Sequence, residues 1–261
     1  MIHLLNTNLY RILRDRRLLR VIIFYVIICG MEFITPCLWS LIRYTGAGEG
    51  IIYHFKISAE LSTSINVFNC FTAPDLLLVG LIYSTFLFAD EKNDKVFENM
   101  CTIYKSRSKV FLANYISICS TFIIFPLAKL VFFLLLQFFY AHEFTLRFDG
   151  FSIPGYMLFV IIYSSYIALF YSLYIFTDNV YVPIVALFGP LTVTFCGRFM
   201  EEIPIGPQLY DGCQMFFFGL VVIARRIMTW GSALKPMCML VVPSVVLLTI
   251  SAIVVEKRDV R

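Results

Sequence analysis

Ala89-Asp-Glu-Lys-Asn-Asp-Lys-Val-Phe-Glu-Asn-Met-Cys-Thr-Ile-Tyr-Lys-Ser-Arg-Ser-Lys109 carries nine charged side chains: Asp90, Glu91, Lys92, Asp94, Lys95, Glu98, Lys105, Arg107 and Lys109. Apolar runs with almost no charge flank it, Phe68 to Phe88 before and Val110 to Tyr140 after. A polar island between two runs of bilayer length is a solvated loop or a docking surface.

The whole composition sets the context for that island. The chain of 261 residues is 60% hydrophobic and 15% charged, with 27 Phe and 15 Tyr. Soluble domains hold about half apolar and about a quarter charged residues, and several runs here reach the roughly 20 residues a bilayer requires. A multi-pass membrane protein is therefore expected. A net charge of +4 carries no nucleic-acid signal. The eight cysteines include no Cys-x-x-Cys pair, so neither a metal knuckle nor a disulfide framework is expected. The first apolar run is too long for a secretory signal and no small-x-small cleavage site follows it, which makes it an uncleaved helix.

In chain order, residues 1–20 place Ile2, Leu5, Leu9, Ile12 and Leu13 at helical spacing, with Arg11, Arg14 and Arg17 elsewhere on the wheel. That pattern predicts a helix lying in the membrane interface. Spans are expected at about 21–41, 68–88, 110–140, 156–176, 180–199 and 236–255. Residues 43–67 read as an outer loop around Gly46, Gly48 and Gly50. The third run would be roughly 46 Å long as one helix, so it must tilt, kink or project. Pro126 supplies a kink. Between the last two spans, Met215–Ala224 is too short to cross and predicts a re-entrant segment within 201–235.

Thirteen of the 21 Lys and Arg then fall at the N-terminus, in the 89–109 island and in the tail. Seven fall in the opposite loops. By the positive-inside rule both termini and the island face the cytoplasm, and the protein sits in the plasma membrane. The fold class expected is an all-α membrane protein of six transmembrane helices, with an interfacial amphipathic helix at 1–20 and a re-entrant segment before the last span.

Catalytic constellations are missing from the sequence. His3, His54 and His142 are isolated, and there is no His-Glu-x-x-His, no Gly-x-Ser-x-Gly and no Gly-x-x-x-x-Gly-Lys-Ser/Thr. The chain thus has no phosphate-binding loop, and no cofactor or metal is expected on it. Ionisable residues within the spans are Glu32, Asp75, Lys129 and Arg198. Such residues turn toward protein or water, as a buried ion pair or along a pathway. Asp75 and Arg198 lie near span ends, and Lys129 can snorkel.

In the island, Val96, Phe97, Met100, Ile103 and Tyr104 form an apolar stripe at helical spacing, surrounded by charge. An amphipathic helix of that kind fits a groove on a partner.

The chain is similar to the membrane subunit of a type-two ABC exporter permease. The resemblance rests on the order of elements: an amphipathic N-terminus, six spans, an acidic-then-basic loop after the second span, a partly inserted segment before the last, and the basic tail Glu256-Lys257-Arg258-Asp259. Asp90-Glu91, Phe97-Glu98-Asn99 and Ser106-Arg107 occupy the places of the family's loop motif. The Gly-Thr usual before the glutamate and the Pro usual before the Ser-Arg pair are absent, and Asn114 stands where a lysine is frequent.

This resemblance implies a pore made with a second permease subunit, identical or related. Two cytoplasmic P-loop ATPase subunits would bind ATP and Mg. The island would be a coupling helix docked on the ATPase through Glu91, Val96, Phe97, Glu98, Met100, Ile103, Tyr104 and Arg107. It further implies export of a hydrophobic or amphipathic substrate, such as a peptide (antimicrobial peptides included), a drug or a lipid-like molecule. A non-transporting scaffold or sensor, or a membrane-embedded enzyme, is the alternative from the residues themselves.

Overall fold

Proline and polar caps set several of the helix boundaries. In the computed structural model, which describes residues 2–44, 64–93, 96–139, 145–147, 151–195, 208, 211–213, 215 and 219–257, the helices are α1 (Ile2–Arg14), α2 (Arg16–Tyr44), α3 (Val67–Phe71), α4 (Pro74–Asn93), α5 (Val96–Tyr104), α6 (Arg107–Thr121), α7 (Ile124–Phe139), α8 (Ile153–Thr177), α9 (Tyr181–Phe195), α10 (Leu220–Arg226) and α11 (Trp230–Lys257). Two strands, β1 (Ser64–Asn66) and β2 (Thr145–Arg147), pair in parallel with Ser64 opposite Thr145.

The described elements are otherwise helical, in keeping with the all-α expectation, and this pair of three-residue strands is a small addition to it. The pair joins Ser64-Ile65-Asn66 to Thr145-Leu146-Arg147, three-residue segments whose polar–apolar alternation is too brief to stand out as a strand signal. The second apolar run is also divided. Its helix starts at Pro74, where a missing N–H costs nothing, and a separate short helix, α3, precedes it. The third run breaks at 122–123 and not at Pro126. Pro126 has no N–H for the Phe122 carbonyl four residues back, so one helix ends there and the next takes Pro126 into its first turn.

The last helix begins at Trp230 and contains both Pro236 and Pro243. Of the expected re-entrant segment 201–235, residues 208, 211–213, 215 and 219–235 are described, with α10 a seven-residue helix and 230–235 belonging to the start of α11. The remainder lies outside the described residues. So do the glycine-rich loop at 46–50 and the tail beyond Lys257.

α8 shows how the local signals combine. Ser152 caps it by accepting from the Gly155 N–H at 3.1 Å, and Pro154 occupies the first turn. Asp178 ends it in the left-handed conformation, φ 52°, its N–H donating to the Tyr174 carbonyl.

The chain forms two compact units. The first comprises Met1–Asp15, Thr72–Phe122 and Ser152–Arg261. Its centre is α8, which is largely buried, whereas α11 is largely exposed. Phe88 and Phe111 stack on Tyr171 at 5.1 and 5.0 Å, and Phe122 stacks on Tyr163 at 4.2 Å. Stacked pairs of this kind contribute about 0.5–1.5 kcal/mol each beyond the area they bury. Gly80 lets α4 approach α8: a Cβ there would meet Tyr163 Cε2 at 2.7 Å. Ser251 donates to Ser172 at 2.8 Å, fixing α11 on α8.

The second unit comprises Arg16–Phe71 and Ile123–Phe151. Tyr25 of α2 meets Phe125 of α7 edge-on at 6.1 Å, and Phe68 and Phe71 pack edge-on against Phe151.

Among the described residues, three stretches are long and apolar enough to cross a membrane: Arg107–Phe139, Ile153–Thr177 and Trp230–Lys257. Met239, Val242, Val245, Val246, Ile250 and Ile253 lie exposed along α11. In water such a face is a liability, and in lipid it is at rest. The protein is helical and built for a membrane.

Candidate functional site

Glu91 stands in the most highly charged stretch of the sequence, yet it is only 2% exposed. α4 carries it past the apolar run that ends at Phe88 and turns it inward. Asn114 of α6 donates through Nδ2 to Glu91 Oε1 at 2.7 Å, and the Tyr171 hydroxyl of α8 donates to Oε2 at 3.0 Å. Asn8 of α1 in turn donates through Nδ2 to Asn114 Oδ1. Four elements of the first unit thus meet on one carboxylate.

Each member is placed by its own helix. Leu4, Asn8 and Ile12 recur every four residues and form the buried face of α1. The expected interfacial stripe is therefore rotated. α1 packs that face on α6 and leaves Ile2, Tyr10 and Leu13 exposed. Asn114 lies one turn before Ser117 on the buried face of α6. Tyr171 is held by its stacked neighbours Phe88, Phe111 and Tyr174.

Burial pushes the Glu91 carboxyl up to about 7. The charge of Arg11 and the hydrogen bonds from Tyr171 and Asn114 pull in the opposite direction and only partly offset it. A buried carboxylate with two donors is costly to disturb, since removing a partner leaves a desolvated charge.

Around this network the island folds onto the chain. Met100 and Cys101 of α5 are buried in one cluster with Leu4, Val110 and Ala113, and Val96 and Phe97 pack against it. Burial pushes the Cys101 thiol up to about 11. The opposite side of α5 presents Asn99, Thr102, Ile103 and Tyr104, with Ile103 71% exposed. Lys105 closes α5 in the left-handed conformation at φ 54°, donating to the Cys101 carbonyl at 2.9 Å. Arg107 opens α6, and the Ser108 N–H donates to Glu256 Oε2 of α11 at 2.9 Å.

The residues singled out from sequence therefore divide. Glu91, Met100 and, in part, Val96 and Phe97 serve the chain's own packing. Ile103 and Tyr104 face outward, while Glu98 and Arg107 are half-buried. Asp75 is half-buried in the first turn of α4. Lys129 is buried with its Nζ 5.8 Å from the Tyr25 ring centre, within cation–π range, and so does not snorkel. Glu32 belongs to α2 but its side chain lies outside the described residues, as does Arg198 entirely.

Asn8 and Tyr171 were not singled out from sequence, and Asn114 was noted only as standing where a lysine is frequent. The available signal was Asn8 among the apolar residues Leu4 and Ile12 on one face of α1, since a buried Asn demands a partner.

Among the described residues no group of three metal-ligating side chains occurs. What the site can do is mechanical: it clamps α1, α4, α6 and α8 together beside a helix with one free face. No protein-family model matches the chain, and no curated protein is similar to it.

Proposed function

We propose that the chain is the permease subunit of an ATP-driven ABC-type exporter. In this proposal it has six spans, α1 lies at the membrane interface, a re-entrant segment precedes the last span, and both termini face the cytoplasm of the plasma membrane. A second permease subunit completes the pore, and separate P-loop ATPase subunits bind ATP and Mg. The substrate is hydrophobic or amphipathic, such as a peptide, a drug or a lipid-like molecule.

The supporting observation is α5. It is a nine-residue helix in the turn between two apolar helices, its inner face fixed to Leu4, Val110 and Ala113 and its outer face leaving Ile103 exposed. A coupling element has to be stiffly joined to the spans on one side and accessible on the other. A solvated loop has no reason to bury Met100 and Cys101. In this proposal the phosphate-binding loop lies on the separate ATPase subunit, and the sequence here has none.

The test is purification of the full chain in mild detergent from its native membrane. The expected result is a stoichiometric P-loop ATPase subunit and vanadate-sensitive ATP hydrolysis in the preparation. A chain that purifies alone, and whose loss leaves export of peptides, drugs and lipids unchanged, contradicts the proposal.

A further inference from the structure

We infer that Glu91 is a proton-operated latch: gain or loss of its proton sets how tightly the N-terminal helix α1 is held on the rest of its unit. The inference rests on the buried network and is independent of the exporter proposal.

The hydrogen-bond chain runs one way. Asn8 Nδ2 donates to Asn114 Oδ1, Asn114 Nδ2 donates to Glu91 Oε1, and the Tyr171 hydroxyl donates to Glu91 Oε2. Both carboxylate oxygens act as acceptors, which suits the ionised form. A proton on Glu91 turns one oxygen into a donor. The Asn114 amide can answer by reversing, accepting from Glu91 through Oδ1 and offering Nδ2 toward α1. Asn8 is fully buried, and its Oδ1 has no hydrogen-bond partner in the ionised arrangement. Reversal of the Asn8 amide makes that oxygen the acceptor for Asn114 Nδ2. The proton state at α4 is thereby read at α1 through two amides, and no backbone has to move.

Charge decides the direction. Among the described residues, the titratable or charged groups facing Glu91 from packed elements are Arg11 on α1, Cys101 on α5 and Tyr171 on α8. Of these, Arg11 favours the ionised form by charge, and burial outweighs it. Lifting α1 opens the network to water, which relieves the desolvated carboxylate. The docked state therefore holds the proton more tightly than the undocked state, and by linkage a proton on Glu91 favours docking. Arg11 Nη1 is itself buried with no hydrogen-bond partner among the described residues.

Hydrogen exchange of the α1 amides tests the latch, using the full chain in nanodiscs at pH 6 and pH 8 with times scaled for the intrinsic exchange rate. Protection of residues 2–14 is expected to fall by up to about tenfold between the two pH values. Glu91→Gln, which keeps the shape of the protonated acid, should stay protected at both. Arg11→Gln removes the charge that favours ionisation, so its midpoint should move to higher pH. Protection in the native chain that does not change with pH overturns the latch. So does an undiminished pH dependence in Glu91→Gln. If Glu91→Gln does not fold, an Arg11→Gln midpoint that stays put or moves down overturns it equally.

Discussion

The Ser108 backbone N–H donates to the Glu256 carboxylate at 2.9 Å, so the last turn of α11 caps the first turn of α6. Ser106, in the N-cap position of α6, makes no side-chain capping bond. Glu256 takes that role from a distant part of the chain, and its charge suits the positive end of a helix. Glu256→Ala is expected to lower stability by about 1 kcal/mol, the usual cost of losing a cap. Ser106→Ala should leave it unchanged. Thermal unfolding in detergent distinguishes the two, and equal effects from both substitutions contradict the assignment.

Gly80 and Tyr163 form a tight contact between α4 and α8. The Tyr163 hydroxyl donates to the Gly80 carbonyl at 3.3 Å, and its ring fills the place of a Cβ. Gly80→Ala should destabilise by roughly 1–3 kcal/mol through overpacking. A Gly80→Ala/Tyr163→Leu pair should recover part of that loss, because the shorter side chain vacates the space. Simple additivity in the double-mutant cycle counts against the contact.

The buried carboxyl gives stability a pH dependence of definite sign. Glu91 titrates near 7 in the folded chain against 4.5 as its ordinary value. The folded state binds the proton more tightly, so the contribution is fully present below about 4.5 and is lost as pH rises through 7. Melting temperature of the native chain relative to Glu91→Gln should therefore fall from pH 5 to pH 8. Tyr171→Phe keeps the aromatic stack but removes a bond that favours the ionised form. It should extend the loss to higher pH. A native chain that runs parallel to Glu91→Gln across this range contradicts the assignment.

Local signals made the helical layout legible. The apolar runs expected at 110–140, 156–176 and 236–255 fall largely within observed helices, whereas the caps and prolines that fix the helix starts at Pro74 and Ile153 were not read from those runs. The inward turn of Glu91 was not legible. Between Asp90 and Lys92 it looks like one more solvated charge, and the Arg11 charge together with Asn114 and Tyr171, brought from three other helices, offsets part of the cost of burial. Periodicity likewise grouped Phe97, Met100, Ile103 and Tyr104 into one stripe. The packing of Leu4 and Val110 against only part of it separates an inner face from an outer one. The β1–β2 pair was hidden because each three-residue strand is too short to show alternation.

Site-specific photo-crosslinking on α5 tests the coupling role most directly. A photoreactive side chain at Ile103 is compared with one at Met100 in native membranes. The account predicts that position 103 captures a P-loop ATPase subunit, and that position 100 crosslinks only within the chain, to α1 or α6. Capture of lipid alone at position 103, or of the ATPase at position 100 and not at 103, would contradict it.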